Sequence, residues 1–198
     1  MLVDLTKPIK SSFLSVERDF RLIIEKLFAD NPQHAKKLKR LLVINEPDCL
    51  DNTTSEVYKK AEDISVSDLI AKGYIRFNPK LPFYEHEDVK SYIILNIDNF
   101  VTNATNPQFR DCTVYFYVIC NSDCWDMGDF RERPFYIMGY IDGLLNNERL
   151  SGIGTFQFAS AKEIVLNENL SGYALSFFAI HGTDDTLPDD KWLNGARA

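Results

Sequence analysis

The chain has 198 residues, is 45% hydrophobic, and carries 22 basic against 29 acidic side chains, a net charge of −7. This length and apolar content can bury one sizeable core, and the acidic excess disfavours direct binding to a phosphate backbone. No stretch approaches the ~20 apolar residues of a membrane-spanning helix, and the N-terminus lacks the pattern of a signal peptide. We therefore expect a protein that stays in the cytoplasm where it is made.

The first third of the chain predicts helices. Apolar residues recur at helical spacing over 13–28, where Ser11 or Ser12 can provide the cap, and a second short helix is predicted over 33–44. Residues 46–72 are polar and weakly patterned, which predicts loops with one or two short helical turns, such as 67–71.

The rest of the chain predicts a sheet. Strands are expected over 74–77, 91–99, 111–120, 155–166 and 172–181. Because both faces of the 111–120 strand are largely apolar, it should be central and covered on both sides. The phase of the apolar residues changes in the fourth strand, which predicts a bulge or break near 159–162. Residues 167–172 are then a hairpin connection.

One further helix is predicted near 134–147, with Pro134 in its first turn. The fold class is α+β: a mainly antiparallel sheet of about four to five strands, packed by an N-terminal helix and by this one. We expect a single domain over 1–181, with a helical and loop part over 1–72 and a sheet-containing part over 73–181. An acidic C-terminal extension follows over 182–198.

Four cysteines, Cys49, Cys112, Cys120 and Cys124, are too few and too unevenly spaced for a disulfide scaffold. Cys112 and Cys120 share one face of the same predicted strand, so they are expected to be small core residues with free thiols.

Groups that could support chemistry do not converge in the sequence. The run Glu85-His86-Glu87-Asp88 offers metal ligands, but neighbours on an extended chain point in opposite directions. Cys120 and Cys124 lack the second ligand pair that zinc needs, and no Gly-x-Ser-x-Gly motif is present. We predict no enzymatic activity and no catalytic, cofactor or metal site.

The segment after the central strand has the composition of an interaction loop. It carries three residues of types enriched in interface cores, Trp125, Met127 and Phe130, and packing within the chain is the alternative reading. It also carries Asp123, Asp126 and Asp129. In the acidic extension, Trp192 and Leu193 form an apolar pair that a neighbouring subunit can bury.

The region 89–181 resembles the tail terminator (tail completion, neck) proteins of tailed bacteriophages. The likeness lies in the order of a Tyr/Val-rich strand over 113–119, a helix over 133–146, the turn and strand over 149–164, and the last strand over 172–181. The N-terminal part, residues 1–72, is longer than in the most compact members of that family. The resemblance therefore does not extend to the outer surface and its contacts.

The resemblance implies a small virion subunit that closes into a homo-oligomeric ring, commonly a hexamer, in the tail or neck after assembly in the host cytoplasm. The ring caps the tail tube and joins it to the head connector, so the implied partners are the subunit itself, the tube protein and connector proteins. DNA would pass without specific binding along an acidic wall, for which Asp123, Asp126 and Asp129 are candidates. No membrane partner is implied.

Three alternatives remain open from the sequence. The first is another neck or head-completion subunit of a phage. The second is a non-viral module that holds a basic partner with the acidic extension and the Trp125 loop. The third is a metal-dependent hydrolase built on residues 85–88.

Overall fold

The computed structural model describes residues 13, 16–51, 54–77, 89–105, 109–150 and 153–182. Three sets of expectations lie outside these residues: the Ser11 or Ser12 cap, the 85–88 cluster, and the Trp192 and Leu193 pair. No described helix is both long enough and apolar enough to cross a membrane.

Four helices and a short strand form the first part of the described chain. They are α1 Val16–Phe28, α2 Pro32–Val43, α3 Glu56–Asp63, α4 Val66–Ala71 and β1 Ile75–Arg76. The 13–28 and 33–44 helices are confirmed to within a few residues. Helix α3 was underpredicted as a loop turn because it has few apolar residues; Ser55 caps it by accepting a hydrogen bond from the Val57 backbone.

The remaining elements build the sheet. They are β2 Ser91–Thr102, β3 Phe109–Asn121, α5 Arg133–Leu145, β4 Arg149–Leu150, β5 Gly154–Thr155, β6 Gln157–Val165 and β7 Leu170–Gly182. The five-stranded sheet has the order β1-β2-β3-β7-β6, and β4 pairs separately with β5. Strand β1 runs parallel to β2, and the other neighbours in the large sheet are antiparallel. The predicted α+β class with a mainly antiparallel sheet is confirmed.

One face of the sheet packs against the helices. Val114, Phe116 and Val118 of β3 lie at 0% exposure in a core that contains residues from all five described helices. Strands β3 and β7 approach closely within this sheet, since a Cβ at Gly172 would lie 1.8 Å from the carbonyl oxygen of Val118. Glycine is therefore required at that position.

The opposite face of the sheet differs from the expectation of full cover. Strand β3 is the central strand, but its second face carries a small cluster of Tyr92, Ile119 and Leu170 with Tyr117 packed against it. Tyr117 is only partly buried and stacks on Tyr115 with ring centroids 6.0 Å apart. Tyrosines tolerate such a position because the ring is apolar and the hydroxyl reaches water.

The predicted irregularity in the fourth strand is confirmed. The pairing of β6 with β7 shifts register between Phe158 and Ser160. The hairpin that joins these strands is held by Asn167, whose side-chain oxygen accepts hydrogen bonds from the backbone nitrogens of Asn169 and Leu170 at 2.8 Å each.

All four cysteines are free and buried. Burial raises the pKa of both Cys112 and Cys120 to about 12, because the thiolate would lose its hydration. The expectation that these two are core thiols is confirmed.

Candidate interaction surfaces

The junction between α2 and α5 is closed by one buried arginine. Arg133 is 0% exposed, and its guanidinium donates to five backbone carbonyl oxygens: Cys124, Leu41, Ile44, Asn45 and Glu46, at 2.5–3.1 Å. Four of these carbonyls lie at or just beyond the C-terminal end of α2, where helix carbonyls have no partner within the helix. Arg133 thus satisfies all five of its N–H groups and fixes the start of α5 beside the end of α2.

The segment between β3 and α5, residues 122–132, forms a tightly held loop. Met127 is 1% exposed and anchors its middle in the core. The Trp125 indole nitrogen donates to Glu132 at 3.1 Å, and Arg131 binds both carboxylate oxygens of Asp51 at 3.0 and 2.7 Å. The Arg131 guanidinium also donates to the backbone oxygens of Met127 and Gly128. The loop is therefore fixed to the body of the protein from both sides.

The tip of this loop exposes a phenylalanine completely. Phe130 has a relative exposure of 107%, and Asp129 beside it is exposed as well. Gly128, Asp129 and Phe130 all have positive φ, at 74°, 50° and 61°. This conformation is costly for Phe130 and persists only where the surrounding contacts impose it. The loop contacts described above supply that constraint.

The three interface-type residues predicted in this loop occupy different environments. Phe130 is exposed and Trp125 is half-buried, but Met127 is in the core. The placement of Met127 on a contact surface is therefore corrected, because its side chain packs within the chain. The three acidic candidates, Asp123, Asp126 and Asp129, all face solvent.

An apolar strip continues from the loop onto the sheet. Tyr173 of β7 contacts Phe135 of α5 and Trp125, with ring centroids 5.0 and 6.4 Å apart. Phe135 is 49% exposed, so it lies on the outer side of α5. Gly139 and Gly143 follow on α5, and no heavy atom lies within 4 Å of a Cβ placed at either glycine. Among the described residues, nothing therefore covers α5 at these two positions.

Strand β6 is the last strand of the sheet and is accessible along its length. Of its nine residues none is buried, and among the described residues it pairs only with β7. Phe158 and Val165 are 46% and 69% exposed. An unpaired edge with exposed apolar residues is a surface that another chain can cover. We call β6, Tyr173, Phe135 and the 122–132 loop the edge surface.

A second apolar surface is formed elsewhere, between α1 and α4. Its cavity of about 570 Å³ is lined by residues of three segments: Glu17, Phe20, Arg21, Ile24, Glu25, Phe28 and Ala29 of α1, Val66 and Ile70 of α4, and Phe77. Phe20 and Phe77 contact each other with ring centroids 5.1 Å apart. No lining residue comes from the edge surface. We call this cavity the α1–α4 groove.

A buried charged cluster fastens α1 to β7. Asp19 and His181 are both 0% exposed, and their side chains pair through one Asp19 carboxylate oxygen and His181 Nδ1. Arg18 donates to the other Asp19 oxygen from Nε and Nη2, at 3.1 Å each. The nearby Cys112 has a raised pKa because it is buried, with a further contribution from the charge of Asp19, so its thiol stays protonated. The cluster is a structural tether.

The described residues contain no group of three or more His, Cys, Asp or Glu side chains that could hold a metal ion. Cys120 and Cys124 are both buried, and Cys124 donates to the Asn121 carbonyl oxygen while lying 3.6 Å from the Ser91 hydroxyl. The Cys124 thiol therefore has polar partners within the described structure.

Comparison with protein families gives one result. The YomW family model matches residues 35–179, from α2 to β7. The chain belongs to the YomW family. YomW is the name of a prophage protein, so the family is phage-associated, in agreement with the phage origin that the resemblance implied. The match includes the edge surface and leaves out α1.

Neither the curated proteins nor the solved structures include a match to this member of the YomW family.

Proposed function

We propose that this YomW-family protein is a structural subunit of a phage particle: a tail terminator whose copies close into a ring, commonly six, on the end of the tail tube. The ring joins the tube to the head connector in the neck of the virion after assembly in the host cytoplasm. In this role the chain performs no catalysis and needs no cofactor. Its partners are copies of itself, the tube protein and the connector.

The observation that carries the proposal is that the protein has two unlike apolar surfaces in different places. The edge surface is a strand edge with a protruding loop, whereas the α1–α4 groove is a concavity between helices. Unlike surfaces support head-to-tail contacts, which close into rings when the rotation between neighbours allows it. The phage-associated family supports the same reading.

The charge of the protein fits a passage for DNA. The net charge is −7, and Asp123, Asp126 and Asp129 extend from the 122–132 loop into solvent. Carboxylates on a ring wall repel phosphates over the short range that physiological salt leaves unscreened, about 8 Å, so DNA would slide without adhering.

The test is reconstitution with tail tubes of the same phage. Purified full-length protein is added to tubes assembled from the tube protein, and tube ends are examined by electron microscopy while tube length is measured. We expect one ring per tube end and an arrest of further growth. Binding to the connector or portal without binding to tubes would instead assign the protein to another neck position, and binding to neither would refute the proposal.

A further inference from the structure

We propose that Phe130 of one copy inserts into the α1–α4 groove of the next copy, and that Asp129 pairs there with Arg21. This inference rests on the proposed function in one respect, namely that copies of the chain associate head to tail. It names the contact that joins them.

Asp129 and Phe130 at the loop tip form a knob, and the shape of this knob is fixed before binding. Phe130 is fully exposed and held in a left-handed backbone conformation at the tip of a loop that Met127 anchors in the core. The bidentate Arg131 to Asp51 contact fixes the other side of the tip. A rigid aromatic residue loses little conformational freedom on binding, and aromatic residues are enriched among those that dominate interface energies.

The lining of the α1–α4 groove matches the apolar character of the Phe130 side chain. Most of its lining is apolar, including Phe20, Ile24 and Phe28 from α1 and Ile70 from α4. Ile70 and Phe77 are 39% and 37% exposed, so the groove is accessible from solvent. Its volume of about 570 Å³ has room for a phenyl ring together with the loop residues beside it.

Charge sets the register of the contact. Arg21 is the one basic side chain that lines the described groove, and it forms no ion pair with a described residue. Glu17 and Glu25 lie one helical turn to either side and would repel a carboxylate, so Arg21 is the position in the described lining where an incoming carboxylate meets an opposite charge. Asp129 is adjacent to Phe130 in the knob, and among the described residues it has one ion pair, a long one of 3.9 Å to Arg131.

The contact leaves a free knob on one copy and a free groove on the other. Because the groove lining contains no residue of the loop, the two halves are separate surfaces, and addition of copies continues until the ring closes. Asp129 is then assigned to the interface, and Asp123 and Asp126 remain as candidates for the ring wall.

The direct test replaces Phe130 with the photoreactive analogue benzoylphenylalanine in the full chain, which keeps an aromatic knob. After irradiation, in solution and on tail tubes, cross-linked peptides are mapped by mass spectrometry. We expect cross-links between copies to residues 17–29 or 66–77. Cross-links between copies at any other segment, or none in either setting, would overturn the inference.

Complementation of two defective variants tests the head-to-tail polarity. Phe130→Ala removes the knob, and Ile70→Glu places a charge at the mouth of the groove. Each variant alone should lose self-association by on the order of 30-fold, the effect of deleting a dominant interface residue. Mixed together, they should give dimers with no larger species. The control Val57→Ala, which truncates an exposed apolar side chain of α3 outside both surfaces, should associate like the unmodified protein.

A double-mutant cycle tests the ion pair without straining the loop, because asparagine tolerates positive φ as aspartate does. Asp129→Asn and Arg21→Gln should each weaken association by roughly tenfold, with the double variant no weaker than either single one. Additive losses would remove Asp129 from the contact, and Asp123→Asn is the matched control.

The outcomes separate this inference from the proposed function. Rings that cap tubes but cross-link elsewhere would leave the tail-terminator role standing and refute the contact. Cross-links in the groove without binding to tube ends would support the contact and refute the tail-terminator role.

Discussion

Arg131 and Arg133 lie two residues apart, yet they serve opposite purposes. Arg133 is buried and donates to five backbone carbonyl oxygens, whereas Arg131 lies near the surface and binds one carboxylate of Asp51. The first joins α2 to α5 and belongs to the interior. The second holds the loop tip in shape. Arginine at nearly the same place in the sequence therefore stabilises the fold in one case and holds a surface loop in shape in the other.

The largest effect is expected for Arg133→Met. It leaves five buried carbonyl oxygens without their donor, which should lower the free energy of unfolding by at least about 4 kcal/mol. Urea denaturation followed by circular dichroism measures the loss. Arg133→Lys, with three donors in place of five, should fall between the variant and the unmodified protein. An unfolding midpoint equal to the unmodified one would contradict the role given to Arg133.

A second interior test is Asp19→Asn. It removes the carboxylate that pairs with His181 and Arg18 while keeping the shape, and should cost about 3 kcal/mol because a buried pair loses one charged partner. The control Asp30→Asn removes an exposed partner of Lys26 and should change stability by less than about 0.5 kcal/mol. Equal losses of stability in the two variants would show that the buried Asp19 contacts stabilise the fold no more than the exposed ion pair does.

Alkaline pH should weaken the interior of the protein. The pKa of Cys112 and Cys120 is about 12 in the folded protein against 9.0 for an ordinary thiol, so the unfolded chain releases these protons first. Their contribution to stability is complete below pH 9 and is lost as pH rises from 9 towards 12. Unfolding measured at several pH values should show this decline. In Cys120→Ala the slope above pH 9 should be shallower, whatever the absolute stability.

The smallest effect on stability is expected for Arg131→Met. Its ion pair with Asp51 is exposed and screened by salt, so the unfolding midpoint should barely move. The loop tip should nevertheless lose its fixed shape, and hydrogen exchange at residues 128–131 should become faster. A midpoint shift as large as that of Arg133→Met would remove the distinction between the two arginines.

Local patterns predicted much of the fold. The helical spacing of apolar residues located α1 and α2, and the change of phase in the fourth strand located the register shift between Phe158 and Ser160. Helix α3 was not predicted because Val57, its most apolar residue, is exposed, and its two buried residues, Tyr58 and Ala61, are too few to show a helical period.

The contact surfaces were harder to predict, because composition does not say which side chain of a loop faces inward. Met127 and Phe130 looked equivalent in the sequence, but the first anchors the loop and the second protrudes from it. The α1–α4 groove combines segments about 40 residues apart, and Arg133 finds its α2 acceptors 87–92 residues away. Neither partnership leaves a local signal.

The link between Asp19 and His181 joins residues 162 positions apart in the chain. During translation α1 is made well before β7, and until β7 follows the Asp19 carboxylate has Arg18 beside it but lacks its histidine partner. A chain that lacks β7 buries the Asp19 carboxylate without its histidine partner, so α1, which lines the groove, should be held less firmly. Chains that include β7 should therefore present the proposed groove to a neighbouring copy more often than chains that lack it.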